Sequence, residues 1–518
     1  MEINTIENIG LMLDCSRGAV PTVDTLKELI DLLSAMGYNR LELYTEDTYE
    51  IEGRPFFGYM RGRYSGEEIR TVDAYAKGKG IELVPCIQVL AHLEHIFRWD
   101  EFVPMRDCND ILLVDEPQTY ALIEDMFKSA AQNFTSRSIN IGCDEAHMVG
   151  LGKFLDKHGY QNRFEIINRH LLKVIDIAKK YGFTCAIWSD MFFRLAFNGE
   201  YYHTQDELPA EVIGRIPKEV TLIYWDYYSV DIDHYKKMFA SHNKTGNEIQ
   251  FAGGAWKWTG LTPDNRYSMK CADAAVAAAR ENGIKTMMVT AWGDHGAEAS
   301  PYSVAPALYY FARLCQGRSV SGADFENGFK NLTGVGFDDF LDIEEVNRFS
   351  WVESGRKPSA MRNFLYEDCF LGYNDRLITG KEARHFSETA EKLSQKLKDG
   401  KYGKYSYIFD SMLALTDVLE LKADLGVRTR ASYRSRDTLR LSKIAEDYQT
   451  AISRTMVFYN RFKKQWFREN KPFGFETHEY RFGSLIMRLY SCRNRILEYC
   501  DGKIDRIPEL EEDIPPKV

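Results

Sequence analysis

Short apolar runs rich in β-branched residues recur along the first part of the chain, and helical patterns separate them. Between the first two runs, apolar residues recur at helical spacing from Val23 to Met36, and Gly37 ends that pattern. Ser65 and Glu68 then form a capping-box sequence at the start of the next helix. The runs are IGLMLDCSR, RLELYTED, IELVPCIQ, SINIGCDEA, FTCAIWSDMFF, VTLIYWDYY, IQFAGGAWKW and TMMVTAWGD.

Alternation of strands and helices predicts a parallel sheet, and eight strands predict an α/β fold of the (β/α)8 TIM-barrel type. A doubly wound open sheet is the main alternative, but no glycine-rich phosphate-binding motif follows the first strand. Beyond the barrel only helical patterns follow. Two apolar stripes stand out there, Leu485, Leu489, Cys492, Ile496 and Cys500, and Ile444, Tyr448, Ile452, Tyr459, Phe462 and Trp466. We therefore predict a barrel in residues 1–310 and an α-helical C-terminal domain in residues 311–518.

Polar and aromatic side chains follow nearly every predicted strand. These are Asp14 and Arg17, Glu46 and Asp47, Gln88 and His92, Asp144 and Glu145, Trp188 and Asp190, Tyr224 and Asp226, Trp256 and Trp258, and Trp292 and Asp294. Taken alone, the adjacent acids of SINIGCDEA would be typical of a solvated loop. Barrel enzymes, however, build their active sites at the C-terminal ends of the strands. The shared position therefore predicts one pocket.

Composition excludes several classes of function. The 518 residues carry a formal net charge of -10, which provides no basic surface for nucleic acid or anionic membrane. No run of 18 apolar residues is present, so we predict no transmembrane helix. An aromatic content of 13% favours carbohydrate as a ligand, although most aromatic side chains serve as core.

The ten cysteines form no C-x-x-C pair and no zinc-type Cys/His cluster. We therefore predict no metal and no cofactor, and free thiols typical of a reducing compartment. The N-terminal MEINTIENIGLMLD lacks a basic segment followed by an apolar one, so we expect a cytoplasmic protein.

At this point the motifs resemble a known family. INIGCDEAH resembles the His/Asn-x-Gly-Gly-Asp-Glu signature of family 20 glycoside hydrolases, the β-N-acetylhexosaminidases. Further segments match in the family's order, namely DCSR, YTEDTYEIEG, VPCIQVLAHL, WSDMFF, YWDYY, FAGGAWKW and AWGDHG. The set is most similar to the streptococcal-type intracellular exo-β-N-acetylglucosaminidases, whose barrel precedes a helical domain. Cys143 replaces the usual second Gly of the signature, and Asp294 stands where many members carry Glu.

The resemblance implies a retaining mechanism in which the substrate's own 2-acetamido oxygen attacks the anomeric carbon. Glu145 would protonate the leaving oxygen and later deprotonate water. Asp144 would bind the acetamido N–H and balance the positive charge of the oxazolinium intermediate. Tyr224 would donate its hydroxyl to the acetamido oxygen, and His92 would link Asp47 to Glu145.

The resemblance also implies a substrate-binding set, with terminal β-linked N-acetylglucosamine on an oligosaccharide or glycoconjugate as the substrate. Trp188, Trp256 and Trp292 would line the acetamido pocket and stack on the sugar ring. Arg17 would bind the 3- and 4-hydroxyls through its planar guanidinium. Asp226 and Asp294 would accept hydrogen bonds from the 4- and 6-hydroxyls.

Several alternatives stay open. The enzyme could prefer N-acetylgalactosamine, or the barrel could be a catalytically silent sugar-binding protein. The intact acid pair with Arg17 and Tyr224 argues against the silent barrel. A metal-dependent barrel hydrolase would need converging histidines, and only His92 and His295 qualify. Core packing remains the alternative for Tyr224 and for each Trp, and a hydrogen-bonded structural role for His92. One face of the C-terminal helices could form a homodimer.

Overall fold

The computed structural model describes residues 5–349 and 359–514. All eight predicted strands form and pair in parallel in chain order, and the last pairs with the first, which closes a barrel. They are β1 (Asn8–Asp14), β2 (Arg40–Tyr44), β3 (Glu82–Cys86), β4 (Ser138–Asn140), β5 (Thr184–Trp188), β6 (Thr221–Trp225), β7 (Ile249–Gly254) and β8 (Thr286–Ala291). The predicted (β/α)8 fold is confirmed.

Helices connect the strands and are the main regular elements of the described residues beyond the barrel. They are α1 (Val23–Met36), α2 (Gly66–Gly78), α3 (Pro117–Asn133), α4 (Lys153–His158), α5 (Arg163–Lys180), α6 (Asp190–Ala196), α7 (Ala210–Arg215), α8 (Ile232–Asn243), α9 (Asn265–Glu281), α10 (Ala305–Cys315), α11 (Ala323–Thr333), α12 (Phe337–Phe340), α13 (Glu382–Lys398), α14 (Ser406–Lys422), α15 (Leu425–Arg434), α16 (Thr438–Glu469), α17 (Phe475–Cys500) and α18 (Pro508–Glu511). None of the described helices is long and apolar enough to cross a bilayer.

The predicted helix ends follow from local chemistry. At the start of α2, the Glu68 N–H donates to Ser65 Oγ at 3.2 Å, and the Ser65 N–H donates to the Glu68 carboxylate at 2.8 Å. Helix α1 ends at Gly37, whose φ of 90° suits a residue without a Cβ. The capping box and the glycine stop are both confirmed.

A side chain links the loops that follow β1 and β8, the two strands whose pairing closes the barrel. Asp14, the last residue of β1, accepts a hydrogen bond from the Gly293 N–H at 2.8 Å, just beyond β8. Its other carboxylate oxygen accepts from the Ser16 N–H at 2.8 Å and from Ser16 Oγ at 2.7 Å. The buried Asp14 therefore orders the loops at the C-terminal ends of both strands.

The chain divides into two compact units. The first comprises Met1–Trp256, Asn265–Gly293 and Ala307–Phe325, and the second comprises Lys257–Asp264, Asp294–Pro306 and Glu326–Val518. The predicted domain boundary between residues 310 and 311 lies inside α10 and stays a prediction.

Within the second unit, α16 and α17 pack through the predicted apolar stripes. Leu485, Leu489, Cys492 and Ile496 of α17 are buried, and so are Ile444, Tyr448, Phe462 and Trp466 of α16. Ile452, Tyr459 and Cys500 lie at the margins and are only partly buried. The rings of Phe458 and Phe482 meet across the two helices with centroids 5.5 Å apart. Burial of these stripes is what stabilises the long helices against each other.

Candidate active site

A sharp turn after β4 places the two adjacent acids. Gly142, Cys143 and Glu145 all have positive φ, at 71°, 70° and 52°. At Gly142 an added Cβ would come within 2.1 Å of Gln88 Oε1, so only glycine fits there. The same amide oxygen accepts a hydrogen bond from the Cys143 N–H at 3.1 Å. Because the backbone leaves the extended conformation here, adjacent side chains need not point to opposite faces.

Asp144 is buried and surrounded by donors. Only 7% of the residue is exposed. Gln88 Nε2 donates to its carboxylate at 2.7 Å, and His92 Nε2 lies 3.3 Å from its other oxygen. Burial alone would raise the pKa of Asp144, but the charge of His92 acts together with the donors of His92, Gln88 and the backbone, and their combined effect lowers it. Asp144 is therefore held as a carboxylate.

His92 faces both acids. Its Nε2 lies 3.3 Å from Asp144 and 3.8 Å from Glu145, as a charge contact rather than a well-aligned hydrogen bond. Its backbone N–H donates to Asp110 at 2.8 Å. Burial disfavours the charged imidazole, but the Asp144 and Glu46 carboxylates together outweigh burial and raise the pKa of His92 to about 9.

Asp47 does not contact His92. Its carboxylate is buried and forms an ion pair with Arg61, whose Nη2 lies 3.2 Å from Asp47 Oδ1. The preceding Glu46, with φ 46°, is the acid after β2 whose charge acts on His92. The prediction that His92 links Asp47 to Glu145 is wrong, because the turn after β2 directs Glu46 rather than Asp47 towards the histidine.

Glu145 differs from its neighbour in exposure, since 43% of its side chain is accessible. Its backbone N–H donates to the Asp190 carboxylate at 3.1 Å, and Arg194 Nε donates to the same oxygen at 3.1 Å. Arg194 Nη2 also lies 3.8 Å from the Glu145 carboxylate. Burial and the nearby charge of Asp144 raise the pKa of Asp190 to about 7. Asp190 and Arg194 thus hold the Glu145 backbone and approach its carboxylate.

Arg17 and Glu46 form an ion pair beside the acids. Arg17 Nη1 lies 3.1 Å from Glu46 Oε1, which also accepts from the Tyr44 hydroxyl at 3.0 Å. Burial raises the pKa of Glu46 to about 7, although Arg17 opposes the rise. Because the Arg17 side chain is 26% exposed, its guanidinium is accessible to a ligand.

Aromatic rings complete the site around Tyr227. Trp292 Nε1 donates to the Tyr227 hydroxyl at 2.9 Å, and Trp256 Nε1 donates to its carbonyl oxygen at 2.9 Å. Trp292 meets Tyr44 edge-on at 4.7 Å and Trp188 at 6.2 Å between ring centroids. The Trp188 ring is buried, and its N–H has no hydrogen-bond partner among the described residues.

The side chains of Tyr224 and Asp226 lie on the face of β6 that packs against α8. The buried ring of Tyr224 packs on Phe239 and His242 of α8, with centroids 5.3 and 4.8 Å away. Its hydroxyl donates to Asp226 at 2.9 Å, and His234 Nε2 lies 2.8 Å from the same carboxylate oxygen. Two backbone N–H groups donate to the other oxygen at 3.0 and 3.4 Å. These contacts contradict the sugar-binding roles predicted for Tyr224 and Asp226, because alternation along the strand turns both side chains towards α8.

The first unit thus brings together seven of the predicted residues, Arg17, His92, Asp144, Glu145, Trp188, Trp256 and Trp292. Asp294 belongs to the second unit, and its role stays a prediction. Six further residues of the site had no role predicted from the sequence, namely Tyr44, Glu46, Gln88, Asp190, Arg194 and Tyr227. Glu46, Gln88 and Asp190 were visible as strand-end residues. Tyr227 could have been found from the two-residue period of β6, which puts it on the face opposite to Tyr224.

No cluster of three or more His, Cys, Asp or Glu side chains in residues 5–349 and 359–514 has an arrangement that could hold a metal ion. Metal-free and cofactor-free chemistry stays a prediction.

Two family models match the chain. The first, described as the catalytic domain of glycosyl hydrolase family 20, matches residues 9–297. The second, described as the glycoside hydrolase 20C C-terminal domain, matches residues 338–517.

Comparison with individual proteins gives more distant similarities. Hexosaminidase D of Homo sapiens is 25% identical over 252 residues, which cover 46% of this chain and 49% of that protein. A beta-hexosaminidase of Akkermansia muciniphila is 24% identical over 168 residues, or 26% of this chain and 34% of that protein. The matched region thus spans about half or less of these relatives. A crystal structure of a β-N-acetylhexosaminidase superposes with a TM-score of 0.50 at 15% identity, covering 69% of this chain and 80% of that one. At that identity the likeness concerns the fold alone.

Proposed function

We propose, from the premise that this chain belongs to glycoside hydrolase family 20, that it is an exo-acting β-N-acetylhexosaminidase. It releases terminal β-linked N-acetylglucosamine by a retaining, substrate-assisted mechanism. The observation that carries this proposal is the contrast within the acid pair. Asp144 is buried against Gln88 and His92, whereas Glu145 is half exposed. The buried Asp144 suits the role of a fixed negative charge, and the accessible Glu145 suits proton transfer to the leaving group.

In the first step the substrate's acetamido oxygen attacks the anomeric carbon, and the bond from that carbon to the leaving oxygen breaks. Glu145 gives its proton to the leaving oxygen. Asp144 accepts the acetamido N–H and balances the positive charge of the oxazolinium ring. Because the charge of His92 lowers the pKa of Asp144, this carboxylate is negative when the cation forms.

In the second step Glu145 takes a proton from water, and the water oxygen attacks the anomeric carbon and reopens the ring. Arg194 Nη2 and His92 Nε2, each 3.8 Å from the Glu145 carboxylate, stabilise the anion that exists between the two steps. Two displacements at one carbon leave its configuration unchanged.

Arg17 is the proposed ligand of the ring hydroxyls, since its accessible guanidinium is oriented by Glu46 and Asp14. Trp188, Trp256 and Trp292 are proposed to line the acetamido pocket. For Asp294 the proposed role is acceptance from the outer hydroxyls.

We assign the hydroxyl that donates to the acetamido oxygen to Tyr227 instead of Tyr224. The Tyr227 hydroxyl accepts a hydrogen bond from the Trp292 indole N–H at 2.9 Å. Burial raises the pKa of this hydroxyl, and the Asp144 carboxylate adds a small further rise. The Tyr224 hydroxyl bonds to Asp226, behind the strand.

Tyr227→Phe is expected to lower kcat/KM on an aryl N-acetylglucosaminide by about 10²-fold, because one donor to the developing charge is lost. Tyr224→Phe is the matched control and should lower the thermal midpoint with little effect on kcat/KM. Steady-state kinetics and thermal melts of both purified variants check this. A larger kinetic loss in folded Tyr224→Phe than in Tyr227→Phe would return the role to Tyr224.

The experiment that tests the proposed function compares matched substrates. The aryl β-N-acetylglucosaminide should be hydrolysed, whereas the matching β-glucoside should be essentially inert because it lacks the 2-acetamido nucleophile. Proton NMR of the first product should show the β-anomer. Comparable turnover of the glucoside, or an initial α-anomer, would contradict the mechanism.

The same comparison decides between the alternatives. Faster hydrolysis of the aryl β-N-acetylgalactosaminide than of the N-acetylglucosaminide would show that the enzyme prefers N-acetylgalactosamine. Inactivity on all three glycosides would support the silent sugar-binding barrel, and inhibition by a chelator would support the metal-dependent hydrolase.

We also propose the cytoplasm as the compartment, which the ten free cysteines support. A homodimer stays a prediction, to be checked by light scattering.

A further inference from the structure

Three aromatic side chains form an exposed cluster on the loops that follow β2 and β3. The rings of Phe56 and Trp99 stack with centroids 5.1 Å apart and planes 28° from parallel. Tyr59 meets Trp99 edge-on at 5.5 Å. Phe56 and Tyr59 are each 42% exposed, and Trp99 is partly exposed. We call Phe56, Tyr59 and Trp99 the aromatic platform.

The loop after β2 ties the platform to the site. Glu46 and Asp47 begin this loop, and Phe56 and Tyr59 lie further along it. Arg61, two residues beyond Tyr59, returns to the strand ends, where it pairs with Asp47 at 3.2 Å and donates to the Ser16 carbonyl oxygen. This return fixes the end of the platform loop beside the residues that adjoin the ion pair of Arg17 and Glu46.

The loop after β3 supplies Trp99, the third ring of the aromatic platform. It begins near Gln88 and His92, and Trp99 follows its 3₁₀ turn at Ile96–Arg98. His92 is the residue of this loop that approaches Glu145, at 3.8 Å. The proposed acid therefore adjoins the loop that carries Trp99.

Polar groups accompany the rings. Arg98, next to Trp99, is exposed, and its Nη2 donates to His95 Nδ1 at 2.8 Å. Burial and the charges of Arg61 and Arg98 lower the pKa of His95 to about 3, so the imidazole is neutral and can accept that bond. Exposed aromatic faces beside hydrogen-bond donors match a pyranose, which has apolar C–H faces and a rim of hydroxyls.

We propose that the aromatic platform binds the sugar residues of the leaving group, the saccharide to which the terminal N-acetylhexosamine is attached. This inference rests on the proposed function. The glycosidic oxygen must lie at Glu145, so the leaving group emerges on the side of the acid, where the loop after β3 adjoins it. His92, beside the acid, and Trp99 lie on the same loop, and a saccharide that extends along this loop is the ligand we assign to the platform.

The test uses substrates that differ only beyond the scissile bond. An aryl N-acetylglucosaminide has no second sugar, whereas β-1,4-linked N-acetylglucosamine trisaccharide extends past Glu145. Trp99→Ala and Phe56→Ala are expected to raise KM for the trisaccharide by about tenfold, because a stacking surface is lost. Both kinetic constants for the aryl glycoside should be unchanged. Trp99→Phe should restore most of the trisaccharide affinity.

Leu172→Ala is the matched control, since Leu172 is an exposed apolar residue on α5, 48% accessible, outside the platform. It should leave both substrates unaffected. An unchanged trisaccharide KM in Trp99→Ala and Phe56→Ala would overturn the inference, and so would equal losses on both substrates. Failure of the proposed function itself would be distinct, because the wild-type protein would then not hydrolyse the aryl glycoside.

Discussion

Glu145→Gln is expected to lower kcat on natural glycosides by about 10²–10⁴-fold, since glutamine cannot donate a proton to the leaving oxygen. The substitution keeps the size of the side chain. It also keeps the backbone hydrogen bond to Asp190 that holds the residue at φ 52°. The loss should be smaller on aryl glycosides with acidic leaving groups, because a good leaving group departs without protonation.

The measurement is kcat and kcat/KM over a series of aryl leaving groups of increasing acidity, for the wild type and Glu145→Gln. Glu46→Gln is the matched control, because Glu46 is a second carboxylate of the site and contacts Arg17 rather than the leaving oxygen. Its effect should be independent of leaving-group acidity. A loss in Glu145→Gln that is equal across the series would remove Glu145 from the acid role.

Asp144→Asn is expected to lower kcat/KM by about 10²–10³-fold, because it removes the negative charge opposite the oxazolinium cation. Asparagine still offers an oxygen to Gln88, so the packing of the site is kept. A thiazoline mimic of the cyclised intermediate should inhibit the wild type more tightly than the product does, and the variant should bind it more weakly. The pKa of His92 should fall from about 9 in the variant, since the Asp144 carboxylate raises it more than Glu46 does.

The thiazoline inhibition constant and an NMR titration of the histidines check this second result. Asp226→Asn is the matched control, because that buried carboxylate bonds to Tyr224 and His234 behind β6. It should lower the thermal midpoint and leave the thiazoline constant unchanged. Equal inhibition of the wild type and Asp144→Asn would mean that Asp144 does not face the cation.

A good part of this protein was predictable from the sequence. The strands and the long helices follow from local rules, namely the periods of two and 3.6 residues, the capping box at Ser65 and the glycine stop at Gly37. Once eight parallel strands are recognised, a barrel brings all their C-terminal ends to one face. That geometry is why Arg17, His92, Asp144 and Glu145 could be named together before any coordinates were known.

The errors fall where strands end and the regular alternation stops. Tyr224 was predicted as the hydroxyl donor to the acetamido group, but its ring packs against Phe239 and His242 and so faces α8. Asp47 was predicted as the partner of His92, but after the turn that follows β2, with φ 46° at Glu46, it is the charge of Glu46 that acts on His92.

The barrel, the acid pair and the face on which they lie were predictable from the amino-acid sequence, because the periodicity of each element and the motifs at the strand ends are local features of the chain. How each acid is held depends on contacts that form in the folded protein. Gln88 and His92 bury and pair Asp144, while Asp190 and Arg194 hold Glu145 at the surface. The bond between Asp144 and Gln88 joins residues 56 positions apart, and the bond between Glu145 and Asp190 joins residues 45 positions apart. The pKa values of these groups depend on burial in the folded protein.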